Sequence, residues 1–425
     1  MPYLAGSQNL NFETVTQAMK IHYKPLRVKE MVYKNNPLLA LLPKYESFDG
    51  LNMPIPILYG NPQRAGAIFE SAQSIKSTSS LEQFVITRKK DYSFASIDAQ
   101  TIKASASNAG AFLRYLTMEI DGAIHTIKRR LAFDIYGDGG GSIGSWGSAA
   151  STVTTLADAS QITNFEVGMW LEGWRADGTT QLTCASSGTK PANVFAVTAV
   201  DRDAGTFTTD IAVGGTPAAG SLFYPYGNIV TNPDTDGAVK CDGLAAWVPS
   251  NRAVGGSDPL GSAFNGVTRS VDPTRLGGIY YDGTAMPIEE ALISAAGRVA
   301  REGGNPDLCM VDYATWVSLE KALGSKVVYT TATARDVDIG FHGMAIQGPN
   351  GVLKVIPDQN CQANTAWLLQ MDTWSMNSLG QVPAILDLDS NRMLRESTAD
   401  AYEVRIGYYA NMACNAPGWN CRVAL

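Results

Sequence analysis

The chain has 425 residues, with 33 basic and 40 acidic side chains, a formal net charge of −7 and 45% hydrophobic residues. This hydrophobic fraction supports a buried core and excludes a mainly disordered chain, and the acidic balance argues against a protein that grips nucleic acid with a wholly basic surface. The N-terminus lacks a secretory pattern, no apolar run approaches the ~20 residues that cross a bilayer, and six cysteines without a CxxC pair indicate reduced thiols.

Residues 1–50 are predicted to form an arm rather than a domain. Their pattern favours two short helices, at 13–22 and 28–34, which Pro25 separates.

Residues 51–59 have the composition of a β-strand, yet they carry Pro54 and Pro56 two positions apart. Both prolines remove an N–H donor from the same side, so this should be an edge strand. Its predicted partner is 84–97, and the small, polar stretch 60–80 between them should form a long tip. Because a two-stranded ribbon is not stable alone in water, it needs another surface to lie on.

Residues 111–136 give the strongest helical signal, since apolar side chains recur three or four positions apart. The helix should be roughly 40 Å long at 1.5 Å per residue, and Gly137 is placed to end it. Its apolar positions are Phe112, Leu116, Ile120, Ile124, Ile127, Leu131 and Ile135. The opposite face is predicted to be solvent-exposed and mostly basic, and it carries Arg114, Asp121, His125, Lys128 and Arg129.

Residues 138–245 differ in composition from the rest of the chain. They are rich in glycine and threonine and contain short runs of alternating apolar and polar residues, which predict a small all-β module. The segment contains 11 acidic and 4 basic side chains, so its net charge of −7 equals that of the whole chain. Glycines from 139 to 147 predict a flexible hinge where the chain enters the module.

The C-terminal half alternates strand and helix signals. A helix should begin after Pro287, and 308–311 should be a buried strand followed by a helix that Asp312 caps. In the last stretch, Tyr402 to Tyr408 alternate apolar and polar residues, which indicates a strand with one buried face.

Three short segments resemble catalytic or metal-binding loops but fail on context. Residues 139–144 satisfy both GxGxxG and GxSxG, yet they follow a helix and precede a β region, whereas both motifs need a strand before and a helix after. The turns at 201–205 and 234–237 imitate calcium loops, and position 212, where an EF-hand has its last carboxylate, is Ala212. We therefore predict no enzyme activity, no cofactor and no metal.

The order of these parts resembles the major capsid protein family of tailed phages, which has the Hong Kong 97-like fold. The resemblance rests on the ribbon segments 53–63 and 84–98, the long helix running into 134–144, and the segments 264–273, 305–323, 348–358 and 402–420. It implies an α+β fold with an N-terminal arm, an extended β-ribbon loop, a spine helix in a peripheral domain and an axial domain. The all-β module is an addition to that plan.

The resemblance gives the following predicted organisation: arm 1–50, extended loop 51–98, spine helix 99–137, inserted β module 138–245, peripheral continuation 246–284, axial domain 285–386 and C-terminal peripheral strands 387–425. It implies that Arg64, Phe69, Glu70 and Lys76 on the extended loop contact a neighbouring subunit, and that Arg114, Lys128 and Arg129 face the lumen and its DNA. The expected partners are copies of the chain in pentamers and hexamers, a separate scaffolding protein, a portal, DNA bound without sequence readout and, as an option, a decoration protein, with no membrane.

The expected function is therefore the shell of a tailed-phage virion, assembled in the bacterial cytoplasm around double-stranded DNA. Two alternatives stay open from the sequence. An encapsulin-like compartment would use the same fold to enclose an enzyme, and a secreted β-rich adhesin or glycan-binding protein would explain the Thr/Gly-rich module. An enzyme that uses Ser142 is a more distant hypothesis.

Overall fold

The computed structural model describes residues 36–100, 109–184, 190–229, 239–250, 260, 263–323, 344–386, 393–397 and 399–425, with backbone alone for 109–118 and 150. The helices predicted at 13–22 and 28–34 lie outside these residues. The described part of the arm contains the helix α1 (Pro37–Leu41) and the strand β1 (Lys44–Tyr45).

The ribbon consists of β2 (Asn52–Gly60) and β3 (Ser80–Thr87), which pair antiparallel as a separate two-stranded sheet, and the short helix α2 (Phe69–Ser74) lies in its tip. The edge position predicted for the first strand is confirmed. The predicted partner, 84–97, is only partly right, because the return strand breaks at Arg88. There the guanidinium donates to the Phe48 carbonyl at 2.7 Å, and the chain continues as β4 (Lys89–Asp98) in another sheet.

One face of the ribbon finds its packing surface within the same chain, which corrects the expectation that the whole ribbon depends on another subunit. Ile55, Ile57, Phe84 and Ile86 are buried in the main core. The Phe84 ring meets Trp247 edge-on with centroids 5.0 Å apart. The base of the ribbon is therefore anchored, and only its outer face and tip remain exposed.

The spine helix α3 (Ala109–Asp134) has 26 residues and confirms the predicted long helix. Ile127 and Leu131 are fully buried, as the apolar spacing requires. The Gly137 N–H donates to the Asp134 carbonyl at 3.0 Å, so the helix ends where Gly137 predicted.

The inserted module is a closed six-stranded barrel, which confirms the all-β prediction. Its six strands are hydrogen-bonded in a closed ring. Phe165 stacks on Phe207 with centroids 4.6 Å apart, and the Phe223 ring meets Phe207 edge-on at 5.3 Å. Gly144 touches this core so closely that a Cβ would lie 2.8 Å from the Phe165 ring. The strands are β5 (Gly144–Ala150), β6 (Val153–Leu156), β7 (Trp170–Trp174), β8 (Phe195–Asp201), β9 (Thr206–Thr209) and β10 (Leu222–Pro225). Around the barrel they follow the order β10-β5-β6-β9-β8-β7.

After the barrel the chain forms an alternating helix and strand region. The buried strand at 308–311 is confirmed, and Asp312 accepts the N–H groups of Ala314 and Thr315 at the start of the next helix. The elements are α4 (Leu244–Trp247), β11 (Ala263–Phe264), β12 (Val267–Thr268), α5 (Pro273–Gly277), β13 (Ile279–Asp282), α6 (Ile288–Arg301), β14 (Leu308–Val311), α7 (Tyr313–Leu323), β15 (Met344–Gln347), β16 (Val352–Pro357) and β17 (Thr365–Leu369).

The last strands divide between two six-stranded sheets. These last strands are β18 (Trp374–Ser378), β19 (Ala384–Ile385), β20 (Leu394–Arg395), β21 (Ala401–Cys414) and β22 (Cys421–Ala424). One sheet surrounds β21, which pairs with β4, β18, β19 and β20. The other has the order β13-β22-β17-β14-β16-β15.

The predicted boundary between the axial domain, 285–386, and the C-terminal peripheral strands, 387–425, does not coincide with the division of the strands between the two sheets. β18 precedes that boundary but pairs with β21, and β22 follows it but lies between β13 and β17. The reason is long-range pairing, which local periodicity does not contain. Val404, Ile406 and Tyr408 in β21 are buried as predicted, whereas Tyr402 is 36% exposed.

Candidate subunit-contact and DNA-facing surfaces

The tip of the ribbon carries all four residues predicted to contact a neighbouring subunit, and all four are exposed. Arg64 precedes α2, Phe69 and Glu70 begin it, and Lys76 follows it. Phe69 is 78% exposed and its neighbour Ile68 is 67% exposed. A helix of six residues with no buried side chain has little stability of its own, so this tip is available for packing against another surface.

The outer face of the ribbon adds apolar surface to the tip. Leu58 lies opposite Leu81 in the register, and these side chains are 56% and 64% exposed. Their strands lead into the tip that carries Phe69. Sequence analysis identified the tip but not this face, because the burial of the opposite face depends on contacts with distant residues.

The three basic residues predicted to face DNA have different surroundings. Arg114 lies in the first turns of α3, in the part described by backbone alone. Lys128 is exposed. The guanidinium of Arg129 contacts the Glu166 carboxylate of the barrel at 2.5 Å, and Arg202 contacts the same carboxylate at 2.8 Å. Arg129 therefore shares the Glu166 carboxylate with Arg202, and this contact joins the spine helix to the barrel.

A buried ionic cluster lies where the chain enters and leaves the barrel. The Lys240 Nζ lies 2.7 Å from Asp91 Oδ2, with both side chains less than a tenth exposed, and the Arg130 guanidinium lies 4.0 Å from the other Asp91 oxygen. Asp134, the last residue of α3, is also buried, and its Oδ2 has no hydrogen-bond partner. These residues link three separate elements, so no local sequence pattern indicates the cluster.

Burial raises the pKa of the Asp134 carboxyl to about 6, and the nearby Asp91 adds to the rise while Lys240 opposes it. The position at the C-terminal end of a long helix also disfavours a negative charge, because the helix dipole is negative there. A cavity of about 490 Å³ between α3 and the barrel is lined by Asp134, Lys240, Arg130, Phe133 and Glu166 among others.

The motifs that imitate catalytic and metal sites have structural explanations. The loop 139–144 follows α3 and enters β5, so it has neither the preceding strand nor the following helix of a phosphate or nucleophile site. Asp201 accepts the N–H groups of Asp203 and Ala204, which is ordinary turn chemistry. The similar turn at 234–237 lies outside the described residues. Across the described parts of the chain, no group of His, Cys, Asp and Glu is arranged to hold a metal ion.

The cysteines do not form disulfides. All six are free thiols, and five of them are buried. In the residues covered by the structure, no helix is both long enough and apolar enough to cross a membrane.

Comparisons with known proteins identify the architecture. Residues 224–391, about two fifths of the chain, match the family model described as SU10 major capsid protein. Over the whole chain, the fold is similar to a solved cyanophage A-1(L) capsid asymmetric unit, with a TM-score of 0.53, 10% identity and 94% of each chain covered. Both comparisons point to the major capsid proteins of phages. The fold of the chain is the Hong Kong 97-like fold with an inserted barrel.

Two further structures are similar at lower scores. The capsid of an empty GTA particle, computed with C5 symmetry, gives a TM-score of 0.47 at 7% identity, with 96% of each chain covered. The holo-SrpI encapsulin complex from Synechococcus elongatus PCC 7942 gives a TM-score of 0.44 at 8% identity, with 96% of this chain and 94% of that chain covered. No curated protein sequence matches the chain. The fold assignment rests on the cyanophage structure and the family match.

Proposed function

We propose that this major capsid protein assembles into pentamers and hexamers that close an icosahedral shell around packaged double-stranded DNA. The observation that carries the proposal is the exposed tip, residues 61–79, in which no described side chain is buried. A monomer gains nothing from holding Ile68 and Phe69 in water, whereas a neighbouring copy would bury them. Arg64, Glu70 and Lys76 are exposed on the same tip and would supply polar contacts to the neighbour.

We also propose an orientation for the subunit in the shell. The barrel lies on the outer surface, where water and salt screen the net charge of −7 that the segment 138–245 carries. The exposed Lys128 and the backbone position of Arg114 lie on the lumen side, where the DNA phosphates supply the counter-charge. We leave Arg129 out of this DNA-facing set because the Glu166 carboxylate of the barrel holds its guanidinium.

The remaining partners follow from the shell function. A separate scaffolding protein directs assembly in the bacterial cytoplasm, a portal occupies one vertex, and a decoration protein is an optional partner of the outer barrel. The finished location is the virion. Binding to DNA is non-specific, since phosphates carry no sequence information.

Negative-stain microscopy of the chain, co-expressed with its scaffolding partner, tests the proposal. We expect closed shells of uniform diameter. Particles that contain nucleic acid after infection support a capsid, and particles that contain an enzyme instead would assign the chain to the encapsulin-like alternative. Monomers or open aggregates under all assembly conditions would contradict a shell function.

A further inference from the structure

The cavity between the spine helix α3 and the barrel has the size of a binding site for a small organic molecule, at about 490 Å³. Part of its wall is apolar, and the side chains that form this part come from the helix, the barrel and its entry loop. They are Phe133, Ile143, Val167, Met169 and Pro225. Polar and charged side chains line the rest, so the cavity suits a molecule with an apolar body and a polar group.

The charged side chains of the wall leave an excess of positive charge. Three cationic and two acidic side chains line the cavity, which gives the wall a formal charge of +1. The cationic ones are Arg129, Arg130 and Lys240, and the acidic ones are Asp134 and Glu166. Behind the wall, Asp91 pairs with Lys240 and Arg202 pairs with Glu166, and these two opposite charges leave the sum unchanged. The wall therefore attracts an anion.

The guanidinium of Arg130 has unused hydrogen-bond donors. Glu166 holds Arg129 at 2.5 Å and Asp91 holds Lys240 at 2.7 Å. Arg130 makes only an ion pair of 4.0 Å with Asp91, and it donates no hydrogen bond to the described residues. A guanidinium presents its N–H groups in a planar fork that matches the two oxygens of an acid group. Arg130 is therefore the cation that can hold an anion in the cavity.

Two other polar side chains of the wall also lack partners among the described residues. The side-chain amide of Asn228 makes no hydrogen bond there. The Asp134 side chain accepts none, and its Oδ2 is buried. Asn228 can donate its N–H groups to an anion, and a protonated Asp134 carboxyl can donate its O–H. Because buried polar groups in proteins are normally hydrogen-bonded, these side chains indicate a missing polar partner.

We propose that this cavity binds a small organic anion, with its acid group on Arg130 and Asn228 and its apolar body against Phe133 and Met169. The positive wall favours an anion over a cation. A molecule with an apolar body is favoured over an inorganic ion, which would leave the apolar wall uncovered. The inference goes beyond the shell function and does not depend on it. The bound molecule would contact the helix and the barrel at once and so stabilise their contact.

Binding should depend on pH through Asp134, because burial raises the pKa of this carboxyl to about 6. A bound anion repels the ionised carboxylate and accepts a hydrogen bond from the protonated form, so binding should tighten as pH falls through 6. The other groups that face Asp134 are Arg130 on α3, Asp138 after it, Asp91 on β4, Tyr408 on β21, and Lys240 and Cys241 at the exit of the barrel. Burial raises the pKa of both Tyr408 and Cys241, so these two groups stay neutral up to pH 8.

Calorimetric titration of the unassembled full chain with benzenesulfonate tests the proposal. This anion combines an aromatic ring with an acid group and keeps its charge from pH 5 to pH 8. We expect saturable binding at pH 5 and roughly tenfold weaker binding at pH 8. Sulfate has the charge without the ring, and benzenesulfonamide has the ring without the charge. Both should bind at least tenfold more weakly than benzenesulfonate.

Substitutions on the spine helix assign the binding to this cavity. Arg130→Gln should weaken the binding of benzenesulfonate at least tenfold. Lys128→Gln removes a neighbouring positive charge outside the cavity, so it is the matched control and should change the affinity by less than twofold. Asp134→Asn should remove most of the pH dependence. Circular dichroism checks that each variant folds.

Four results would overturn the proposal. On wild type they are the absence of saturable benzenesulfonate binding, equal affinity for benzenesulfonate and sulfate, and equal affinity at pH 5 and pH 8. The fourth is unchanged affinity in a folded Arg130→Gln chain. Because the titration uses the unassembled chain, a failure to form shells would contradict the proposed function and leave this test unaffected.

Discussion

The barrel and the ribbon are both built from antiparallel strands, but the barrel has no edge strand whereas both strands of the ribbon are edge strands. The barrel closes its six strands into a ring, so every strand has two neighbours. The ribbon pairs β2 with β3 alone and leaves its outer face exposed to water. A closed barrel pairs all of its strands with one another, whereas the edges of a two-stranded ribbon must be paired, covered or blocked by other means. We therefore propose that the ribbon carries the assembly contacts, whereas the barrel is a self-contained addition.

The largest stability effect we expect is in the barrel core. Phe207 is 1% exposed and packs on Phe165 and Phe223, so Phe207→Ala should destabilise the barrel by about 3–5 kcal/mol. Limited proteolysis should then cut between residues 144 and 225 while the rest of the subunit stays intact. Val153→Ala, at a site 39% exposed, is the control and should change stability by less than about 0.5 kcal/mol. If the whole subunit unfolds with the barrel, the barrel is not self-contained.

The junction between the barrel and the body should respond to pH through Asp134. Its pKa is about 6 in the folded chain against 3.8 in the unfolded chain, so the stability it contributes is full below about pH 3.8 and is lost as pH rises through 6. The loss is at most about 3 kcal/mol. Asp134→Asn should therefore raise the free energy of unfolding at pH 7 by up to that amount.

At pH 4 the same substitution should have little effect. Denaturant unfolding of the unassembled chain at both pH values measures the difference. The exposed Asp121, on the same helix, provides the control Asp121→Asn. An equal effect of Asp134→Asn at the two pH values would exclude a buried, titrating carboxyl at this junction.

The tip should show the opposite behaviour to the barrel core, with a small effect on the subunit and a large effect on assembly. Phe69 is 78% exposed, so Phe69→Ser should change the free energy of unfolding by less than about 0.5 kcal/mol. Shell yield should nevertheless fall, because the neighbour loses an apolar contact. Gln73→Ala, in the same short helix, is the matched control, and sedimentation measures the assembled fraction. A Phe69→Ser chain that assembles like wild type would remove this residue from the interface.

The smallest effect should come from the DNA-facing side of the spine helix. Lys128→Gln removes one phosphate contact, so the salt dependence of DNA retention should fall by about one unit of slope. Arg129→Gln is the control, because Glu166 already holds that guanidinium and DNA retention should not depend on it. Release of DNA from filled particles at increasing salt concentrations checks both. An equal effect of the two substitutions would contradict the assignment.

The sequence predicted those features that depend on local periodicity. The spine helix follows from its apolar spacing, its end from Gly137, and the edge position of the ribbon from Pro54 and Pro56. The all-β character of the inserted module follows from its composition. The resemblance to tailed-phage capsid proteins supplied the order of the parts.

Features that depend on long-range contacts could not be predicted. Arg129 has the spacing of a solvated basic face, but its partner Glu166 lies 37 positions away in a barrel whose placement no local pattern specifies. Asp91 and Lys240 meet across 149 positions for the same reason. The ribbon was expected to depend on other subunits, whereas Trp247 packs against one face of it within the chain.

The most direct test of the difference between ribbon and barrel is a pair of excisions, scored by shell formation in negative-stain microscopy. The Lys240 N–H donates to the Gly139 carbonyl at 2.9 Å, so residues 140–239 can be replaced by a short Gly-Ser link. Gly60 and Ser80 are paired, so residues 61–79 can be replaced by an Asn-Gly turn. We predict that the chain without the barrel still forms shells and that the chain without the tip folds but forms none. Shells from the tipless chain, or none from a folded barrel-less chain, would contradict the account.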